Sequence, residues 1–411
     1  MGYTSHMEII FASIYILHQK ISANLDLFYF LSIVLILKDV IERRSLTWKA
    51  AGYVYFAVLY AFLQILVNDH VEVGRLVINL SKLFLNIVLF LQVKEMKAGL
   101  NSFKKIIYAV SAINLVLLCI GMVHKTKLLW RLDDDVNLYQ KVRLALFYAE
   151  PSEASFHAGI LIVILVSFIM RETGLRKNMI NLFFLFANAG VVIVSAGMGG
   201  MLSLGLALTV MYIYYLGERI SVPKLLAAML LSIVGTFALS MFVASNNSFY
   251  MRFNDILNGT DGSVFYRFNV SARIMGQILE DSNFIGAGWG NLNTDTVKNT
   301  YYSHGLVEII ANSFMYVIAE GGIGAILLLF VFLVMLVMRI RRHERVFKYG
   351  LLIFILSYQI AGGYFTNPVN WIIYGLIANY TLLSEDKKSL HRFAFNIPRI
   401  NQNDYSKREI V

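Results

Sequence analysis

Cysteine is all but missing from this chain: Cys119 stands alone among 411 residues, so no disulfide can close within it. Charge is scarce as well. Asp, Glu, Lys and Arg together make up 15% of the chain, against about 25% in an average soluble domain. That excludes an ordinary water-soluble globule. The motifs that hold nucleotides or metals are also missing. GAGWGN and GMGGML do not complete a dinucleotide fingerprint, and no strand is expected before either. There is no P-loop, no HExxH and no Cys/His cluster, and neither a metal nor a cofactor is expected. The first apolar stretch lacks a basic start and a small-residue cleavage site, so no cleavable signal peptide is expected either.

What the chain has instead is apolar length. Hydrophobic residues make up 58% of it, and its mean hydropathy is +0.63. Apolar runs of about 17–22 residues alternate with short basic clusters, the pattern of a protein that crosses the bilayer repeatedly. The runs are Ile9 to Leu17, Leu25 to Ile41, Trp48 to Val67, Val73 to Val93, Ile106 to Val123 and Ala154 to Met170. Met179 to Ser195, Met201 to Leu216, Leu225 to Ala244, Gly305 to Met338, Phe347 to Ala361 and Val369 to Leu383 follow. The net charge of +10 comes from Lys and Arg at segment ends, which reads as the positive-inside rule and not as a nucleic-acid surface. Because backbone groups in lipid must be satisfied within each segment, the expected fold is all-α. It is a single polytopic domain over residues 1–411 with about 12 transmembrane helices, or 11 if the first run does not span.

Alternating sides along the runs collects the dense Lys/Arg clusters on one face, the cytoplasm. Two long loops, 124–153 and 245–304, then share the opposite, outer face, and 384–411 forms a basic cytoplasmic tail. One helix from Gly305 to Met338 would be about 50 Å long at 1.5 Å per residue, well beyond a hydrocarbon core of about 30 Å. It must project outward or break near Gly321, Gly322 and Gly324.

The chemistry-bearing residues gather in those two loops. In AEPSEASFHAG, Pro151 suits the first turn of a helix, and Glu150, Glu153 and His157 share a face if Glu150 is in register. They read either as a base and hydrogen-bond acceptors or as a helix cap with Glu153 offsetting the dipole. Arg143 would align with Glu150 in a continuous helix, as an anion ligand or as an interfacial arginine reaching ordinary lipid. The large loop supplies Arg252, Arg267, Arg273 and His304. Arg267 and Arg273 would point about 240° apart on a regular helix, and Arg273, beside Asn269 and Gln277, is the likelier ligand of a pyrophosphate. Arginine suits that role because its planar fork pairs bidentately and stays charged. His304, Glu308, Asn312, Tyr316 and Glu320 recur every four residues. They form either a polar stripe that holds a general base or interhelical hydrogen bonds.

Arg143 followed by F-Y-A-E-P-S-E resembles the bacterial O-antigen and capsular polysaccharide polymerases of the Wzy type. So does the order R-x5-R, G-A-G-W-G-N, His304, A-E-G-G-I-G and F-T-N-P-V-N-W. The related O-antigen ligases share this plan. One family pattern is not met: an Arg followed eleven residues later by Gly, since Arg143 leads to Ala154 and Arg273 to Phe284. The resemblance implies a metal-independent glycosyltransferase of the C-type superfold, multi-pass in the bacterial inner membrane, with its active site on the periplasmic face. Its donor and acceptor would be undecaprenyl-pyrophosphate-linked oligosaccharides, with a chain-length regulator protein as a further candidate partner. Glu150, His304 and Glu308 would be catalytic, and Arg143, Arg267, Arg273 and Glu153 would bind substrate. A ligase acting on lipid A core and a flippase for lipid-linked oligosaccharides are the competing readings.

Overall fold

The computed structural model describes residues 20–22, 25–26, 33, 37, 48–68, 71–95, 100–131, 142–148, 150–172, 175–218, 248–301, 310–362, 365–380 and 382. The protein is a helical membrane protein. Short antiparallel pairs, β1 (Lys20–Ser22) with β2 (Leu25–Asp26) and β3 (Trp130–Arg131) with β4 (Arg143–Leu144), are its strands among the described residues. The helices are α1 (Trp48–Val67), α2 (Val73–Glu95), α3 (Leu100–Val123), α4 (Pro151–Arg171), α5 (Leu175–Ser195) and α6 (Met198–Glu218). The loop segment holds α7 (Ser248–Leu257), α8 (Gly262–Phe265), α9 (Ser271–Asp281) and α10 (Asp295–Tyr301). Then come α11 (Ser313–Met338), α12 (Arg345–Ile360) and α13 (Pro368–Ala378). Six helices among the described residues are long and apolar enough to cross a membrane, and two shorter apolar ones, Val54–Val67 and Pro368–Ala378, accompany them. The expected spans Ile9 to Leu17 and Leu225 to Ala244 lie outside the described residues. The expected span from Leu25 begins instead with the strand Leu25–Asp26.

α4 is the centre of the bundle, packed against α3, α5, α6 and α12. It is apolar around its whole circumference, as a helix surrounded by others must be, and Ala154 through Leu165 are all buried. Small residues let neighbours approach where lipid supplies no hydrophobic drive between helices. A Cβ on Gly159 would stand 2.7 Å from Phe354 Cζ, and one on Gly197 or Gly200 would stand 2.5 Å from the Ser155 side chain. Residues 196–200, at the start of α6, are therefore also the seat of the first turns of α4.

Polar side chains fasten the rest. Asn114 donates to Asn188 at 3.0 Å, and Asn188 donates to Ser111 at 3.0 Å, tying α3 to α5. α3 starts at Leu100 rather than Ile106, which carries Lys104 into the helix and onto the Glu172 carboxylate. At that end of the bundle the buried Lys348 donates to Glu344 and to the Asn379 carbonyl, both at 2.8 Å. Asn379 in turn donates to the Val93 carbonyl at 2.8 Å, so this clasp joins α12, α13 and α2.

The long run ending at Met338 breaks, as its length requires. α11 begins only at Ser313, capped by the Asn312 side chain, which accepts from the Phe314 and Met315 amides. The expected stripe from His304 to Glu320 is therefore not one helix, and His304 and Glu308 lie outside the described residues. A second interruption falls at Gly322, with φ 59° and ψ −148°. Backbone groups released there cannot stay unpaired in a membrane, and the segment Phe284–Asn291 supplies the partners. Ala287 and Gly288 amides donate to the Ala319 and Glu320 carbonyls at 2.9 Å, and the Ile323 amide donates to Phe284 O at 3.0 Å. The Glu320 carboxylate accepts from the Gly290 amide at 2.9 Å.

The other side of that segment sits on the α1–α2 turn. Asn68 donates to Ala287 O at 2.9 Å, Asn291 accepts from the Glu72 amide at 3.2 Å, and Arg75 donates to Asn293 O at 3.0 Å. Trp289 fills the space between them, packed with Leu76, Val317, Phe365 and Trp371. GAGWGN is thus a backbone splint for a broken helix.

A Cβ at Gly322 would sit 2.1 Å from Phe284 O, in a conformation that L side chains rarely adopt. Gly322→Ala is expected to cost at least about 1–3 kcal/mol, read as a lowered melting temperature of the purified protein in detergent. Gly324→Ala, whose Cβ would meet nothing within 4 Å, should melt like the parent.

Candidate functional site

Three pieces of chain converge at the mouth of α4. The first is the helix start itself. Glu150 is the N-cap residue in extended conformation, φ −133° and ψ 146°, with Pro151 in the first turn behind it. Its carboxylate makes no capping bond to the helix backbone and accepts instead from Ser152 Oγ at 3.1 Å. The exposed carboxylate is therefore held by a first-turn side chain and not by the helix amides, whereas Glu153 occupies the first turn, where a negative charge offsets the dipole. Since Glu150 is not helical, the expected shared face reduces to Glu153 and His157. His157 is fully buried against the Tyr148 ring, at 4.3 Å between centroids.

The second piece is the large loop. Asp261 caps α8 by accepting from the Val264 amide at 2.8 Å, and its other oxygen lies 3.4 Å from Arg252 Nε. α8 continues into α9 through a π-helical turn, Tyr266–Val270, that holds Arg267. Such wide turns insert one residue into the helical register. The α9 face carrying Ser271, Ile274 and Ile278 is buried, and Ser271 Oγ accepts from the Ala311 amide at 3.2 Å. Arg267 is half-buried with its guanidinium beside Gly362, while Arg273 is exposed on α9. The π turn and the buried face of α9 thus set the two arginines in different surroundings, Arg267 half-buried and Arg273 exposed.

The third piece is the end of α12, which the sequence reading missed. Tyr358 is buried there, stacked on Phe156 of α4 at 3.7 Å, with its hydroxyl 3.5 Å from the Ser152 carbonyl. Gly362 follows with φ 110°, and a Cβ on it would stand 3.2 Å from Arg267 Nε. The guanidinium thus lies along a bare stretch of backbone. The available signal was S-Y-Q followed by A-G-G, a polar step and paired glycines at the end of an apolar run.

Arg143 lies elsewhere than expected. Residues 143–144 form β4, and Leu146 has φ 51°, so no continuous helix carries Arg143 into line with Glu150. Arg143 pairs in register with Arg131 across the β3–β4 ladder. Leu144 and Leu146 anchor that ladder in a cluster with Leu117, Trp130 and Val191.

Electrostatically the centre of the site is Arg267. Burial pushes its guanidinium below the ordinary value and Arg252 adds to this, while Tyr358, Asp261 and Glu150 act against them. An arginine stays charged regardless, so the site holds a partly desolvated cation, while Arg252 is paired with Asp261. A guanidinium of this kind pairs through its planar fork with an anion that has paired oxygens, such as a phosphate. The Glu150 carboxylate, exposed and held by a hydroxyl, can take a proton. Among the described residues no group of three His, Cys, Asp or Glu side chains is arranged to share a metal ion. The sequence matches no protein-family model and no curated protein.

Arg267→Ala is expected to weaken binding of inorganic pyrophosphate by about tenfold or more, the range for a charged hydrogen bond. Gly362→Ala should do the same by displacing the guanidinium. Calorimetry on the purified protein checks both, and native affinity in both variants would remove Arg267 from the anion site.

Proposed function

We propose that this protein is a surface-polysaccharide polymerase, a membrane glycosyltransferase that extends lipid-linked glycans on the outer face of the bacterial inner membrane. The observation that supports the reading is that the end of α12 touches both the first turn of α4, through Tyr358 and the Ser152 carbonyl, and Arg267 of the large loop, at Gly362. The acidic motif and the large loop lie more than a hundred residues apart, and a transferase of this kind needs a base and an anion cradle in one place.

In the proposed reaction the acceptor is a sugar hydroxyl of one undecaprenyl-pyrophosphate-linked repeat unit. Glu150 takes its proton as the oxygen attacks the anomeric carbon of the donor glycan. The bond from that carbon to the pyrophosphate oxygen breaks, and the electron pair leaves with undecaprenyl pyrophosphate. Arg267, with Arg252 beside it, stabilises the charge that develops there. The activated donor supplies the driving force, so no nucleotide site is required. Glu153 lines the acceptor side, Arg143 and Arg273 are outer anion ligands, and His304 with Glu308 is the second candidate base. These residues remain part of the proposal.

A strain lacking the gene should carry surface glycan limited to single repeat units on a lipopolysaccharide gel. Loss of all attached glycan, with long lipid-linked chains accumulating, would identify a ligase instead, and an unchanged ladder would exclude both. Complementation with Glu150→Ala should leave chain growth reduced by about 10²–10⁴-fold, and with Arg267→Ala by about 10²-fold, at native protein levels. His304→Ala and Glu308→Gln, assayed in parallel, identify which base is used.

A further inference from the structure

We propose that Phe284 and Ile285, in the turn between α9 and the splint, are a lipid anchor whose side chains lie among the acyl chains of the loop-side leaflet. The inference does not depend on the reaction proposed above. Depth is read from α11. Its residues Val317, Ala319, Glu320 and Gly322 are buried, whereas Ile323, Ile326, Leu327 and Phe330 are exposed. The lipid-facing part of this span therefore begins at Ile323. It ends at Met338, where Arg339, Arg341 and Arg342 follow and mark the opposite interface. From Ile323 to Met338 the helix rises about 24 Å, less than a hydrocarbon thickness of about 30 Å. Ile323 thus lies inside the loop-side edge of the hydrocarbon.

The backbone of the turn is fixed at that level. Phe284 O accepts from the Ile323 amide at 3.0 Å, and a Cβ on Gly322 would stand 2.5 Å from Ile285 O. The side chains are left outside this contact, Phe284 52% exposed and Ile285 41% exposed. Local geometry gives no reason for a large ring here. α9 ends with the Phe284 amide donating to Leu279 O at 2.7 Å, and Phe284 has φ 64°. Glycine or asparagine is the usual residue in such a helix-ending conformation, and a bulky one is strained in it. Strain of this kind persists where the surroundings over-determine it. Moving the apolar surface of Phe284 and Ile285 from water into acyl chains is favourable, and that gain opposes the strain. The end of α9 is then held by lipid as well as by α11.

The test attaches one nitroxide at a time to the full-length protein in phospholipid vesicles, with Cys119→Ser removing the native thiol. Phe284→Cys and Ile285→Cys are compared with Leu327→Cys, on the exposed face of α11, and Thr296→Cys, at an exposed polar position of α10. Oxygen enters acyl chains freely, whereas a polar nickel chelate is excluded from them. The labels replacing Phe284 and Ile285 should relax with oxygen and be shielded from the chelate, as at Leu327. The label replacing Thr296 should show the reverse. Chelate access at Phe284 and Ile285 equal to that at Thr296 puts the turn in water and overturns the anchor. Shielding from both reagents overturns it too, because protein, a second copy or another part of this chain, would then cover the pair. Where Phe284→Cys fails to assemble, Ile285→Cys decides alone.

Discussion

In lipid a backbone amide or carbonyl has no water to turn to, and the loop-side architecture of this protein follows from that constraint. α11 is interrupted at Gly322, and the interruption is tolerable only because Phe284–Asn291 returns to the helix and completes its hydrogen bonds. That segment is continuous with α9 and hence with the π turn that holds Arg267. It also rests on the α1–α2 turn. One broken helix thereby ties the large loop to two distant parts of the bundle. The orientation of the loop's arginines is inherited from the repair.

On the other side of the site the constraint is packing rather than hydrogen bonding. α4 is surrounded, and its first turns are pinned between the glycines at 197 and 200 and the aromatic column of Phe156, Phe354 and Tyr358. Its mouth is therefore a rigid wall. Rigid walls are where proteins mount charges whose separation matters, because a misplacement of about 1 Å is costly in rate. The candidate site joins a packed helix mouth to a splinted loop, with the end of α12 between them.

Much of the architecture was legible because membrane spans announce themselves by composition. Apolar runs lead directly to helices, and the excess length before Met338 leads to a helix that must either project or break near glycines 321, 322 and 324. What was not legible depends on contacts between segments. Asn312 reads as one more polar residue in a stripe until its side chain is seen capping a helix. KVRLALFYAE reads as helix by periodicity, but the ladder with Trp130–Arg131 draws it into a strand and turn. Arg267 and Arg273 are indistinguishable by residue type, and only a π turn, set by the fit of α9 on its neighbours, separates them. Tyr358 looked like an aromatic in an apolar run, since nothing near it in sequence reveals that Phe156 and the Ser152 carbonyl lie beside it.

The π turn at Tyr266–Val270 also bears on how such a protein can change over generations. A wide turn of this kind amounts to a single inserted residue. Removing one residue there would restore 3.6 residues per turn and rotate the preceding helix by about 100° relative to α9. The side chains carried by α8 and the turn would thus be re-aimed by one codon deletion. Divergence among proteins built on this plan can then proceed by indel, moving a charge without replacing any residue type.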